Sequence, residues 1–300
     1  MKKLALLLGA LSLVSSVAYA KEVVPAVEEV VVVEEVKPVA APTLRVTSVG
    51  QYIEIDNTSG ASDIGEEVYF GNYVNFAYGE DWTFGLLAHK TWNMDTDNGI
   101  HGVDHRLQLD AWRKFDNFSL GLRYRGQEEY DRLYLRGKYS YGMFSGWADV
   151  AYQSTTGNTE GDNIYSEGMP VAVQVGPVKV GYYYELKDYM VGSPNSKGME
   201  YNLYHQLRLM APLYTGEKFT LGAEYRWQFA NDKEFEKTTA HTEDTSHIAI
   251  LNATYALTDN LTLDGYYRYD FIDHEGKDGG KDTDSDRYYG EFYIGWTYSF

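Results

Sequence analysis

From residue 43 to the end of the chain, apolar and polar residues alternate with a period of two, interrupted by clusters of Gly, Asn, Asp and other charged residues. That period is the mark of a β-strand with one apolar face. Phe118-Ser-Leu-Gly-Leu-Arg-Tyr-Arg125, Phe219-Thr-Leu-Gly-Ala-Glu-Tyr-Arg-Trp227 and Leu261-Thr-Leu-Asp-Gly-Tyr-Tyr-Arg-Tyr269 show it most cleanly. Fourteen strands are predicted, near 44–55, 66–78, 82–92, 103–113, 118–126, 131–141, 145–154, 167–175, 178–187, 199–211, 219–229, 246–257, 261–272 and 286–300. Short turns at 79–81, 114–117, 142–144, 176–177, around Thr215-Gly216 and at 258–260 alternate with longer, mostly acidic connections. These fall at 56–65, 93–102, 155–166, 188–198, 230–245 and 273–285; only 127–130 is brief.

Long connections kept to one end, short turns at the other and an even strand number predict an all-β fold: a transmembrane antiparallel up-and-down β-barrel of about 14 strands. A soluble sandwich has no reason to hold its long loops at one end. At about 4.8 Å between strands and roughly 40° tilt, such a wall is about 28 Å across, leaving a lumen of roughly 15 Å inside the side chains. Side chains from opposite walls do not meet at that width, so the interior is expected to be wet and the apolar face to look outward. Leu120, Leu122, Tyr124, Leu133, Leu135 and Tyr139 are then lipid-facing. Trp82, Phe118, Trp147, Phe219 and Trp227, near strand ends, are expected in interfacial girdles.

Composition narrows the function. The 300 residues are 44% hydrophobic and 23% charged, with 28 Tyr, 29 Gly and no Cys. Without cysteine there is no disulfide, thiolate metal site, cysteine nucleophile or lipidated cysteine. A net charge of −18 argues against nucleic acid as a partner, because such a surface should be basic. Mean hydropathy is −0.43, and no apolar run after the first two dozen positions reaches the roughly 20 residues of a membrane helix.

The chain opens with Met1-Lys2-Lys3, an apolar stretch from Leu4 to Val17, and Ala18-Tyr19-Ala20, the pattern of an export signal peptide over 1–20. Its removal would leave 280 of the 300 residues and, without Lys2 and Lys3, move the charge from −18 to −20. Residues 21–42 are Val, Glu and Pro rich, with Pro25, Pro38 and Pro42 and glutamates at 28, 29, 34 and 35. They are expected to form a solvated periplasmic linker, or else a short element docking on cell-wall polymer or a neighbouring chain. The barrel is assigned to 43–300.

In the last predicted strand Tyr288, Gly290, Phe292, Ile294, Trp296, Tyr298 and Phe300 share one face, and the chain stops at an aromatic. This ending, with Tyr298 and Phe300, resembles the signal that outer-membrane proteins present to the barrel assembly machinery. The start MKKLALLLGALSLVSSVAYAKEVVPA, the Val/Glu/Pro segment and the Tyr-rich alternating body ending in Phe300 together resemble the major outer-membrane porins of fusobacteria, the FomA-like family. Leader and linker carry the closest match; the body matches in strand rhythm. The Arg/Tyr-studded strands are also similar, more weakly, to smaller porins for acidic oligosaccharides. These resemblances imply a bacterial outer-membrane location, a channel for small polar solutes, outer-membrane lipid as surroundings, and a homotrimer.

If the apolar face meets lipid, the inward residues follow from the period of two. The expected basic lining is Arg106, Arg123, Arg125, Arg132, Arg136, Lys138, Arg208, Arg226 and Arg268, with the first six making a basic wall on three neighbouring strands. Asp110, Glu224, Asp264, Asp270 and Glu291 are the expected acidic lining, and Tyr134, Tyr183, Tyr204, Tyr266 and Tyr289 the inward stacking surfaces. Much of the excess acid is assigned to loops, as at Glu66-Glu67, Asp95, Asp97, Asp232 to Glu236 and Asp273 to Asp286. A cationic wall opposite acidic groups sets a transverse field that steers ions and orients dipolar solutes, favouring anionic or saccharide solutes. The plainer alternative is that these arginines pair with inward carboxylates and solvate a nonspecific pore.

Catalytic and metal signals are poor, so no enzymatic activity and no cofactor are expected. The seven histidines lack metalloprotease spacing and no serine sits in a G-x-S-x-G turn. His101 and His105 are read as solvated loop residues rather than ligands. Asp282-Thr-Asp-Ser-Asp286 mimics alternating calcium ligands but lacks the glycine and glutamate of a calcium loop. Against the leading expectation of a passive diffusion channel stands an outer-membrane adhesin or structural anchor acting through the long loops, and, third, a hydrolase lacking an identifiable rim constellation.

Overall fold

Each alternating segment pairs antiparallel with its neighbour in sequence, and the last pairs with the first, so the sheet closes on itself and no wall strand is left as an edge. The computed structural model describes residues 42–58, 67–95, 99–155, 161–189, 198–235, 241–278, 281–282 and 285–300. The expected leader 1–20 and all of the 21–42 segment except Pro42 lie outside them.

Among the described residues the wall has fourteen strands: β1 (Leu44–Thr58), β2 (Glu67–Tyr78), β3 (Trp82–Asp95), β4 (Gly99–Lys114), β5 (Phe118–Gln127), β6 (Tyr130–Tyr141), β7 (Phe144–Thr155), β8 (Asn163–Val175), β9 (Val178–Asp188), β10 (Met199–Thr215), β11 (Phe219–Phe235), β12 (His241–Ala256), β13 (Leu261–Asp278) and β15 (Ser285–Ser299). A two-residue strand, β14 (Lys281–Asp282), folds back on the end of β13 and lies outside the ring. Positive-φ glycines at Gly79, Gly142 and Gly176 make three of the tight turns, where a side chain would be strained.

The exposed residues on the wall are the apolar ones. On β5 Phe118, Leu120, Leu122 and Tyr124 are exposed while Ser119, Gly121, Arg123 and Arg125 are covered. On β6 Leu133 and Leu135 are exposed while Arg132 and Tyr134 are buried. The ladder aligns these faces across the strands, Leu122 opposite Leu135 and Arg123 opposite Tyr134, so the apolar side is continuous from β5 to β6. This is the inverse of a soluble fold: nonpolar outside, polar inside. Some apolar residues face inward: Met169 and Ala172 cluster with Tyr183, and Ile248 and Ile250 are buried on β12.

Several strands run beyond the predicted ends on their long-loop side. β11 continues to Phe235 instead of stopping near 229, β12 begins at His241 instead of 246, and β13 continues to Asp278 instead of 272. β4 starts at Gly99, which puts His101 and His105 on a strand rather than in a loop. On the turn side β10 continues to Thr215 past a bulge at Pro212/Tyr214, so the turn there is shorter than expected. Crossing the hydrocarbon takes about 9–11 tilted residues. β10 to β13 have 17, 17, 16 and 18. Strands of that length extend past the hydrocarbon, where lipid no longer enforces the apolar–polar contrast that betrays a strand.

One girdle assignment is corrected. Trp147 shares its face with Asp149, Ala151 and Gln153 and points inward, where it packs on Met169 and lies 6.1 Å from the Tyr183 ring. Phe144 is the exposed aromatic at that end of β7. Trp82, Phe118, Phe219 and Trp227 are exposed.

Candidate functional site: the barrel interior

The interior is built by adjacent strands supplying alternate residues to one face, so groups that meet are cross-strand neighbours rather than neighbours in sequence. All nine expected basic residues, the five acidic and the five tyrosines stand on inward register positions. They form three groups.

The first lies on β4 to β7. Asp110 is its hub: one carboxylate oxygen accepts from Nε of Arg123 at 2.8 Å and from Nη1 of Arg136 at 2.7 Å. Arg136 also donates from Nε to Asp149 at 2.8 Å, whose side chain is only 1% exposed. Gly121 makes this possible, because a Cβ there would sit 2.6 Å from the Trp112 ring. That ring instead lies flat across β5 and carries the Arg136 guanidinium and the Lys138 ammonium, each 4.6 Å from its centre. Arg132 donates to Gln153 at 2.6 Å and to Tyr134 at 3.1 Å, and its guanidinium rides 3.9 Å over Tyr165. Arg125 donates to Gln108 at 3.1 Å and faces Tyr134 at 5.5 Å. Arginine on an aromatic face gains cation–π attraction where water is excluded.

The second group is on β8 to β11. Tyr183 donates to Glu167 and Glu185, at 3.3 and 3.2 Å, while Arg208 sits 3.5 Å over its ring and donates to Gln206 at 3.0 Å. Arg226 pairs with Glu224 at 2.6 Å. Tyr204 accepts from Asn202 at 3.2 Å.

The third group, on β13, β15, β1 and β2, is acidic. Arg268 grips Asp270 through Nε at 2.9 Å and Nη2 at 2.6 Å and reaches Glu291 at 3.2 Å. Tyr289 donates to Glu291 at 3.1 Å; Tyr266 donates to Glu54 at 3.0 Å and also to Glu291. A ladder of rings, Tyr266 on Tyr293 at 5.0 Å and Tyr293 on Tyr52 at 5.4 Å, runs along this seam. Asp264 stands lower on the same face, opposite Gly295. Glu67, read in the sequence as loop acid, is on β2 opposite Asp56 and accepts from Tyr69.

The two flanks of the interior thus carry opposite charge. On β4 to β6 among the described residues seven cations, Arg106, Lys114, Arg123, Arg125, Arg132, Arg136 and Lys138, hold inward register positions with Asp104 and Asp110. On β13, β15, β1 and β2 the carboxylates of Asp264, Asp270, Glu291, Glu54, Asp56 and Glu67 hold inward register positions with Arg268 and, at the turn end of β1, Arg45. Sequence reasoning missed Glu54, Asp56, Tyr52, His89, Trp112, Asp149, Glu167 and Glu185. Each sits on the polar parity of its strand, so the same period-two rule identifies them once strand limits are known.

His105 has carboxylate company but no vacant site. Donor atoms of Asp104, His105 and Glu128 lie within 4.8 Å of one another. The Asp104 oxygens are already taken by the backbone N–H groups of His105 and Glu128, at 2.7 and 3.1 Å, and by Gln127 at 2.7 Å, which clamps the β5–β6 connection onto β4. The side chains of Asp282-to-Asp286 lie outside the described residues.

A closed antiparallel wall with an apolar exterior and a charged interior is a transmembrane β-barrel of the bacterial outer membrane. No family model and no curated relative matches the chain. Among solved structures it is similar to OmpT, an outer-membrane protein of Vibrio cholerae, at 14% identity over 89% of this chain and 100% of that one, with a TM-score of 0.44. It is similar also to the anion-selective porin from Comamonas acidovorans, at 12% identity over 86% and 100%, TM-score 0.43. Omp33 of Acinetobacter baumannii is a third, at 9% identity over 85% and 99%, TM-score 0.41.

Proposed function

We propose that the protein is a porin, a passive diffusion channel for small hydrophilic solutes, and that the inward basic, acidic and tyrosine residues line its pore. The observation that carries the reading is the division of the interior into a cationic flank on β4 to β6 and an anionic flank on β13 to β2. Oppositely charged walls impose a transverse field that a polar solute crosses without meeting an apolar barrier. The basic flank carries more cations than its carboxylates neutralise, which favours anionic or hydroxyl-rich solutes such as acidic saccharides, with Tyr134, Tyr183, Tyr204, Tyr266 and Tyr289 as stacking surfaces. No reaction is assigned to the chain.

The test is conductance of the refolded full chain in a planar bilayer. Stepwise ion currents are expected, and Arg123→Glu with Arg125→Glu is expected to move the reversal potential in a salt gradient toward cation selectivity. A folded barrel passing no current, or an unmoved reversal potential, contradicts the reading.

Two further elements belong to the same proposal. The leader directs export and is cleaved, and the FomA-like resemblance, with its trimer, is retained. Gln51 and Asn72 donate and accept a 2.8 Å hydrogen bond on the outward face of β1 and β2, within the span of apolar neighbours Val49, Ile53, Phe70 and Val74. Amides facing hydrocarbon leave donors unsatisfied at a cost of several kcal/mol each. A second copy of the chain would cover them. Cross-linking between Cys residues placed at Gln51 and Asn72 should trap oligomers in membranes.

A further inference from the structure

On the β3–β4 wall three side-chain polar atoms are buried with no hydrogen-bond partner: Nε2 of His89, Oγ1 of Thr91 and Nε of Arg106. They are neighbours. His89 stands opposite Arg106 in the ladder, and Thr91 follows His89 by two residues on the same inward face. His89 is 7% exposed and Thr91 1%. An orphaned buried group has given up its hydrogen bonds to water without replacing them. Three side by side mark a place built for an occupant.

The chemistry of that occupant follows from what the groups offer. The Tyr52 hydroxyl meets Nδ1 of His89 at 2.9 Å. With Tyr52 donating there, the imidazole proton resides on Nε2, which becomes a donor. The threonine hydroxyl can donate, and a guanidinium can only donate. Arg125, on β5 opposite Gln108, adds a second permanent positive charge two positions along the same face. Among the described residues neither Arg106 nor Arg125 has a carboxylate at ion-pair distance, unlike Arg123, Arg136, Arg226 and Arg268.

The nearest carboxylates are engaged elsewhere. Asp104, opposite Thr91, accepts from two backbone N–H groups and Gln127. Glu54 accepts from Tyr266. The histidine ring is itself held in place between Tyr52 and Tyr69, with centroids 6.4 and 5.5 Å away. Tyr52 reaches it only by crossing Gly71, where a Cβ would fall 2.0 Å from its ring.

We propose that His89, Thr91, Arg106 and Arg125 form an oxyanion-binding site on the inner wall, receiving the phosphate or carboxylate group of a solute inside the barrel. The site rests on the channel reading for its access to solute. It gives the basic flank one defined stopping place in addition to a diffuse field, with donors fixed before the anion arrives.

Inorganic phosphate is the probe. Calorimetric titration of the folded full chain in detergent should show saturable binding, and phosphate added to one side of a bilayer should interrupt the channel current in discrete blocks. Arg106→Gln and Thr91→Val are each expected to weaken binding about tenfold or more, the loss of one charge-assisted or buried hydrogen bond. Arg113→Gln removes the same charge from the outward face of β4, opposite Trp82 and Leu120, and should change affinity by less than about twofold. Thr91→Val is nearly isosteric and carries the test if Arg106→Gln does not fold, as judged by unheated against boiled gel mobility. Absence of phosphate heat in the wild-type titration, or equal weakening by Arg113→Gln and Arg106→Gln, overturns the site. Current without phosphate binding sinks the site and leaves the channel; phosphate binding without current sinks the channel and supports the site.

Discussion

Asp110 shows how a single carboxylate organises a wall. It neutralises Arg123 beside it and Arg136 two strands away, and Arg136 in turn holds Asp149. Asp110→Asn leaves two guanidinium groups sharing one remaining carboxylate. Breaking a partly buried ion pair costs about 3 kcal/mol. We expect lower resistance to urea by roughly that amount, read from equilibrium unfolding in lipid vesicles, together with a shift of reversal potential toward anions. Gly71 is the second residue-scale device, because its missing side chain is filled by the Tyr52 ring. Gly71→Val should push Tyr52 off His89 and destabilise the barrel by about 1–3 kcal/mol, the usual cost of overpacking, with weaker phosphate binding in the calorimeter. Both devices were legible in part: the parity of Asp110 and Arg123 is plain from the sequence, whereas the reach of Arg136 across Gly121 depends on register.

At the scale of the strand, the exterior of β5 and β6 is what holds the molecule in lipid. Leu122 is 57% exposed in the isolated chain, with Leu133 and Leu135 beside it at 63% and 44%. Leu122→Arg should cost about 2–4 kcal/mol if its position is near the bilayer midplane. Unfolding in vesicles measures that value, and an unchanged midpoint would place Leu122 away from hydrocarbon. The alternation of Leu120 to Arg125 and of Arg132 to Leu135 fixed these faces from the sequence alone, because lipid on one side and water on the other force a strict period. Above the bilayer that force is absent. The sequence pattern read 230–235 and 241–245 as loop, because their residues alternate too weakly to betray a strand, although they hydrogen-bond as strand. Trp147 failed for a different reason: its place near a strand end suggested a girdle, while its parity with Asp149 already pointed inward.

For the whole molecule the decisive feature is closure. β15 pairs with both β13 and β1, with Ser299 opposite Ser48 and Thr58 opposite Tyr289, so the C-terminal strand seals the ring. Tyr298 and Phe300 end it on the exterior, 40% and 71% exposed and 5.1 Å apart edge to face, and the Phe300 N–H donates to the Thr47 carbonyl at 3.0 Å. We propose that this exposed pair is what the assembly machinery reads. Removing Phe300 should leave refolding in vitro nearly unchanged, since one terminal hydrogen bond and little burial are lost. The heat-modifiable form recovered from cells should fall sharply, as compared on gels of unheated membranes.

The sequence by itself determined the barrel class and the alternation of inside and outside along strands such as β5 and β6, because a period of two is a property of the single strand and needs no partner. Pairing was decided only by the tertiary structure. Register and bulges, such as those at Thr91/Trp92 and Gly168/Val171, set which inward residues meet. That is why the arginines divide into those bound to carboxylates and those left, with His89 and Thr91, facing unfilled hydrogen bonds. A one-residue change of register exchanges neighbours without altering the residues present, so charge counted along the chain does not reveal charge left free inside the wall.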